Sequence, residues 1–173
     1  MLFRSAPLPE PGGGRAWWRI DGGDSPVHVW ADELPSGFRP NPEVGAARQA
    51  IQTLLRDARQ RYAPDVIAIV GFSQGAMLAL DVAIAAEPAV DRVAALSGVL
   101  IADSLPALRR GQAKPPSVFV SHGRKDGALP FAGGASAEKV LGAHGYPVRF
   151  VPFDGGHEIP ATIVAELGRF LFG

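Results

Sequence analysis

Seventeen basic and seventeen acidic side chains cancel across 173 residues, so the charge balance draws the chain toward neither nucleic acid nor an anionic membrane. The complete lack of cysteine excludes a disulfide framework, a cysteine nucleophile and thiolate metal sites. No apolar run reaches the roughly 18 residues of a membrane span and no signal peptide opens the chain, which predicts a soluble, cytoplasmic protein without integral membrane association.

One domain, residues 1–173, is expected at this length. Residues 1–40 hold many of the prolines and the Gly12–Gly14 run, read as a flexible turn. They show little periodicity and are read as irregular, apart from an apolar-alternating piece around Val27–Trp30. At Asn41-Pro42-Glu43 a helix should begin, with Asn as N-cap, Pro in the first turn and Glu at the positive end of the dipole. Val44, Ala47, Ile51, Leu54, Ala58 and Tyr62 recur at steps of three and four, and Pro64 ends the pattern.

Residues 65–70 form a continuous apolar run, the pattern of a strand covered on both faces. A helix from about Gln74 to Glu87 follows, stopped by Pro88. Residues 92–97 and 117–122 read as two more buried strands. A helix from about Ala132 to His144 stops at Gly145. The next strand is 148–153, and an amphipathic helix over 160–172 closes the chain. Strands alternating with helices predict a mainly parallel sheet in a three-layer α/β fold, with 41–173 as its catalytic core.

In such sheets function gathers where the carboxyl ends of strands enter loops. Gly71-Phe72-Ser73-Gln74-Gly75 matches G-x-S-x-G, a sharp strand-to-helix turn that presents Ser73 as a nucleophile. The Gln74 N–H, at the start of a helix, is placed to donate to an oxyanion. Asp126 follows the 117–122 strand, where a carboxylate can orient an imidazole. His157 follows the last strand, on a loop freed by two glycines. Serine, aspartate, histidine is the chain order of α/β-hydrolases. Asp103 is the alternative acid, whereas Asp154 stands too near His157 on the same loop. His122 is read as a support for the Asp126 loop, and His28 and His144 as ordinary surface or core residues. Neither a phosphate-binding glycine motif nor a metal-binding cluster is present in the sequence, so no cofactor is expected.

The stretches GFSQGA, SHGRKDGALP and GGHEIP resemble the motifs of the phospholipase/carboxylesterase family, α/β-hydrolases that include acyl-protein thioesterases. The resemblance runs through most of residues 41–173, and the Pro-rich stretch leading to Trp17-Trp18 is similar to the family's segment ahead of its first long helix. It implies Ser73 as nucleophile, His157 as base, Asp126 as acid, and hydrolysis of a small carboxylic ester or thioester through an acyl-enzyme. Family members also carry an earlier strand ending in a His-Gly loop that supplies a second oxyanion donor. Nothing before Ala6 can be that strand, so the chain is expected to be truncated at its amino end. The strand leading to Ser73 would then expose an apolar edge, which a homodimer would cover. Phe72, Trp18 and Leu129 are expected to line an acyl pocket, with Trp17, Met77 and Phe131 nearby. Without a long lid insertion, short or medium acyl chains are the expected substrates. Two other readings stay open: a hydrolase-like fragment that only binds, and a peptidase built on the same triad.

Overall fold

The chain is described by a computed structural model over residues 2, 4–10, 13–19 and 26–173. Its amino-terminal part is not wholly irregular. Strands β1 (Leu8–Pro9) and β2 (Arg15–Ala16) form a short antiparallel hairpin, closed by backbone bonds between Glu10 and Gly13 and Gly14. Gly13 takes a φ of 83° there, which glycine adopts without strain; Gly12 lies outside the described residues. Farther on, Val29 N–H donates to the Leu100 carbonyl and Ala102 N–H to that of Val27, which ties the 27–30 piece to the body of the fold.

Helix α1 (Pro42–Tyr62) begins as its sequence dictates: Asn41 Oδ1 accepts the N–H groups of Glu43 at 2.8 Å and Val44 at 3.3 Å. Such a cap is worth about 1 kcal/mol. Val44, Ala47, Ile51 and Leu55 form its buried stripe. Arg48, on the same helix, makes a bidentate ion pair with Asp81, whose side chain is 1% exposed. Ser104 Oγ donates to the same carboxylate.

Strands β3 (Ala68–Phe72), β4 (Arg92–Leu96), β5 (Ser117–Gly123) and β6 (Val148–Phe153) make one parallel sheet in the order β3-β4-β5-β6. Helices α2 (Gln74–Ala85) and α4 (Phe131–Ala143) pack against one face of it. Helix α1 lies on α2, and the six-residue α3 (Leu105–Arg110) follows a 3₁₀ turn over Ala102–Ser104. Helix α2 is buried along nearly all its length, from Ala76 to Ile84. Helix α5 (Ala161–Phe172) covers the other face, where Ile163, Leu167 and Phe170 pack with Ala94, Leu96 and Phe119. Val93, Ala95, Val118 and Val120, the alternate positions, point into the main core. This is the three-layer α/β arrangement expected. Among the described residues no helix is long and apolar enough to cross a membrane.

The expectations for Tyr62, which is 58% exposed at the end of α1, and for the first long strand fail as well. The strand leading to Ser73 is not covered on both faces: its burial alternates, and Val70 is 45% and Phe72 37% exposed. The cluster beneath α5 joins residues of β4, β5 and β6 and none of β3, so this helix leaves the strand's second face uncovered. Among the described residues β3 pairs only with β4 and forms an edge of the sheet. With Val66 also exposed, this is the apolar edge anticipated above.

Candidate active site

Ser73 occupies the tight turn from β3 into α2 with φ 55° and ψ −123°, a conformation that costs a non-glycine residue about 1–3 kcal/mol. The surroundings enforce it. A Cβ on Gly71 would lie 1.9 Å from the Gly75 carbonyl oxygen, and one on Gly98 would lie 2.4 Å from the Ala76 Cβ. The missing side chains therefore let the first turn of α2 press onto the ends of β3 and β4. Ser73 N–H donates to the Leu96 carbonyl at 2.9 Å, fixing the turn to the neighbouring strand. Gln74 is the first residue of α2, a position whose N–H has no intrahelical acceptor. Its side chain clasps the amino-terminal segment: Oε1 accepts Trp17 N–H at 2.8 Å, and Nε2 donates to the Trp18 carbonyl at 3.1 Å.

Asp126 sits in the loop after β5 with its side chain fully buried. Its Oδ1 accepts the N–H groups of Ala128 and Leu129, both at 2.9 Å. Its Oδ2 lies 2.8 Å from His157 Nδ1. Burial alone would push this carboxyl up. The Leu129 N–H, His157 and the Ala128 N–H together outweigh burial and hold it below the ordinary carboxylate range. The carboxylate is thus kept ionised beside the ring.

His157 comes from beyond β6, the strand farthest from β3. Three strand spacings separate the two, roughly 14 Å, and the loop after Phe153 must bring the ring back. It does so over the end of β5. Lys125 N–H donates to the Gly155 carbonyl at 2.9 Å. A Cβ on Gly123 would meet the Gly156 and Gly155 carbonyl oxygens at 2.2 and 2.5 Å. The return path exists because Gly123 has no side chain. The His157 ring then rests 4.8 Å, centroid to centroid, from Phe72, the residue before Ser73. Among the described residues no hydrogen bond joins Ser73 Oγ to this ring.

The fold therefore brings Ser73, Gln74, Phe72, Asp126 and His157 to one end of the sheet. Leu129 is mostly buried beside Asp126, and Trp18, 3% exposed, belongs to the main core. Asp103 is elsewhere: its Oδ1 accepts the Asn41 N–H, and a cleft beside it, lined by Arg48, Pro106 and Arg110, includes none of Ser73, Asp126 and His157. His144 pairs with Asp32, and His28 bridges to Ile101. Two contributors escaped the sequence reading. Gly123 acts through backbone approach and the Trp17–Gln74 clasp through a side chain that meets distant backbone, and only the His122-Gly123 pair at a strand end hinted at the first.

A sequence model of phospholipases and carboxylesterases matches residues 37–172. The chain belongs to the phospholipase/carboxylesterase family. Solved structures agree on the fold. Esterase PE8 superposes with a TM-score of 0.75 at 24% identity, over 96% of this chain and 74% of that one. SOBER1 of Arabidopsis thaliana gives 0.76 at 20% identity, over 98% of this chain and 81% of its own. Acyl-protein thioesterase 2 of Zea mays gives 0.66 at 21%, over 80% and 68%. No curated protein sequence matches significantly.

Proposed function

We propose that this member of the phospholipase/carboxylesterase family is a serine hydrolase that cleaves small carboxylic esters or thioesters through an acyl-enzyme. Ser73 Oγ attacks the carbonyl carbon as His157 Nε2 takes its proton. Asp126 holds the ring through Nδ1–H and stabilises the imidazolium that forms. The oxyanion receives the Gln74 N–H, aided by the positive end of α2. His157 returns the proton to the leaving alcohol or thiol. Water activated by the same ring then attacks the acyl-Ser73 ester, releasing the acid and restoring the serine. Every step uses protein groups and water. In this reading Phe72, against the His157 ring, and Leu129, beside Asp126, border the acyl group, and Trp18, whose carbonyl accepts from Gln74, adds to the same wall.

The observation that carries this reading is the 2.8 Å contact between His157 Nδ1 and a buried Asp126, at the same sheet end as a serine strained out of ordinary backbone geometry. Hydrolysis of p-nitrophenyl butyrate by the chain and by Ser73→Ala tests it. Turnover should fall by several orders of magnitude in the variant; equal turnover would sink the proposal. One observation favours a second reading, a hydrolase-like domain that binds without turnover. Strand β3 has a free outer edge among the described residues, and the Gln74 N–H is the one oxyanion donor proposed among them. Inactive wild-type protein that still binds a non-hydrolysable ester analogue would support that reading.

A further inference from the structure

Asp126 has a second imidazole beside it. His122, near the end of β5, is completely buried. Its Nε2 lies 3.0 Å from the Leu129 carbonyl oxygen and 3.4 Å from Asp126 Oδ2, the oxygen that also meets His157. Both neighbours of Nε2 can only accept, so Nε2 carries a proton, which is donated to the Leu129 carbonyl with the Asp126 carboxylate alongside. The opposite nitrogen, Nδ1, has no partner among the described residues.

The ring is held in this position from two further sides. A Cβ on Gly134 of α4 would lie 2.7 Å from Nδ1, so the helix backbone lies directly against the ring. Phe131 meets it edge-on at 6.2 Å. If the position required only filling, an apolar side chain of similar size would do so without burying an unsatisfied nitrogen. The polar edge of the ring is what distinguishes histidine here, and that edge faces the acid and its loop. Leu129 is engaged twice: its N–H holds Asp126 Oδ1 and its carbonyl accepts from His122.

We propose that His122 is a positioning residue for the catalytic acid, its Nε2–H holding the Leu129 turn, and through that turn the Asp126 carboxylate, in the orientation from which His157 is held. This rests on the reading of Asp126 and His157 as acid and base. Arg124, which pairs with Asp154, and Glu158, which accepts the Gly156 N–H, are the other charged groups of these loops with visible partners. Neither is bonded to Asp126 among the described residues.

Glutamine places an amide N–H near where histidine carries Nε2, whereas asparagine falls short of it, so the test compares His122→Gln with His122→Asn. Both are assayed for kcat and KM on p-nitrophenyl butyrate, with thermal melts alongside. The downfield proton resonance of His157 Nδ1–H is recorded in each protein and assigned by its loss in His157→Gln. His122→Asn should lower kcat by up to about 100-fold, the factor that a misplacement near 1 Å can cost. Its KM should hold, and the resonance should move or broaden. His122→Gln should recover most of the rate and the resonance. Two folded variants that share the wild-type kcat and resonance overturn the proposal, as do variants that lose rate equally. If the wild-type chain does not turn over, or if Ser73→Ala remains active, the esterase reading fails by itself. The resonance then decides alone: unchanged in His122→Asn, it refutes the positioning role.

Discussion

Gly71→Ala tests whether the turn around Ser73 depends on bare backbone contact. The added Cβ would lie 1.9 Å from the Gly75 carbonyl oxygen, 2.2 Å from its carbon and 2.6 Å from Ala76 N. All three are main-chain atoms, so no side chain can swing aside. Reaching ordinary contact at 3.4 Å requires the start of α2 to retreat from β3 by about 1.5 Å. Overpacking of this kind costs about 1–3 kcal/mol, a fall in Tm of roughly 2–12 °C at this chain length. The same retreat moves Ser73 and the Gln74 N–H relative to His157, and a misplacement near 1 Å can cost about 100-fold in rate. Gly75, the other glycine of the motif, is the internal comparison. Among the described residues a Cβ there meets only Trp17 Nε1, at an ordinary 3.7 Å, so Gly75→Ala should cost far less in both. Melts and kcat/KM of the two variants read the difference. Gly71→Ala with wild-type Tm and rate, or two variants of equal loss, would refute the packing argument.

Ser73→Gly should remove turnover and raise Tm by a few degrees, because glycine accepts φ 55° without the strain; a lower Tm in a melt would count against strain at this turn. Since the Asp126 carboxyl is held below its ordinary value of 3.8, its contribution to stability is complete above that pH and is lost as the pH falls through the lower folded value. Urea unfolding of Asp126→Asn should therefore show a shallower acid loss than wild type below pH 3.8. Asp103 has the opposite sign: burial pushes its carboxyl up, and the Asn41 N–H offsets this only partly. Its contribution to stability should accordingly fall as pH rises from 3.8 through the raised folded value, and Asp103→Asn should remove that component of the wild-type pH dependence. Arg48→Met leaves Asp81 buried with only Ser104 as a visible partner and should cost about 3–5 kcal/mol, with much of the loss recovered in Arg48→Met/Asp81→Leu by the same denaturation.

The sheet was legible where one strand carried its own evidence. The 148–153 run matches β6 residue for residue, and the α1 start follows from Asn41, Pro42 and Glu43. The apolar runs of β4 and β5 signal burial on both faces, and both strands lie inside the sheet. An equally apolar run in β3 misled, because coverage of its second face depends on what lies beside it, and no pattern within six residues records that. The hairpin β1–β2 was missed because two-residue strands have no periodicity to read. Ser73, Asp126 and His157 could be picked out by motif and chain order. What brings them together could not, since Gly123, Gly98 and the Trp17–Gln74 clasp work between segments far apart in sequence. The paired Gly133-Gly134 inside α4 was a readable anomaly: helices disfavour glycine, and here Gly133 makes room for Val99 and Gly134 for His122.

The order of the strands also bears on how the site is assembled during folding. Asp126 and His157 lie 31 residues apart, on loops that follow β5 and β6, so pairing of those two strands, with α4 between them, brings the acid to the ring. Ser73 joins only when β3 has docked on β4 and β4 on β5, a longer sequence of non-local pairings and slower for that reason. In consequence, the proposed acid–base pair can exist on a partly folded carboxyl-terminal half before the proposed nucleophile arrives, and fraying of the outer strand β3 would release the serine while leaving that pair intact.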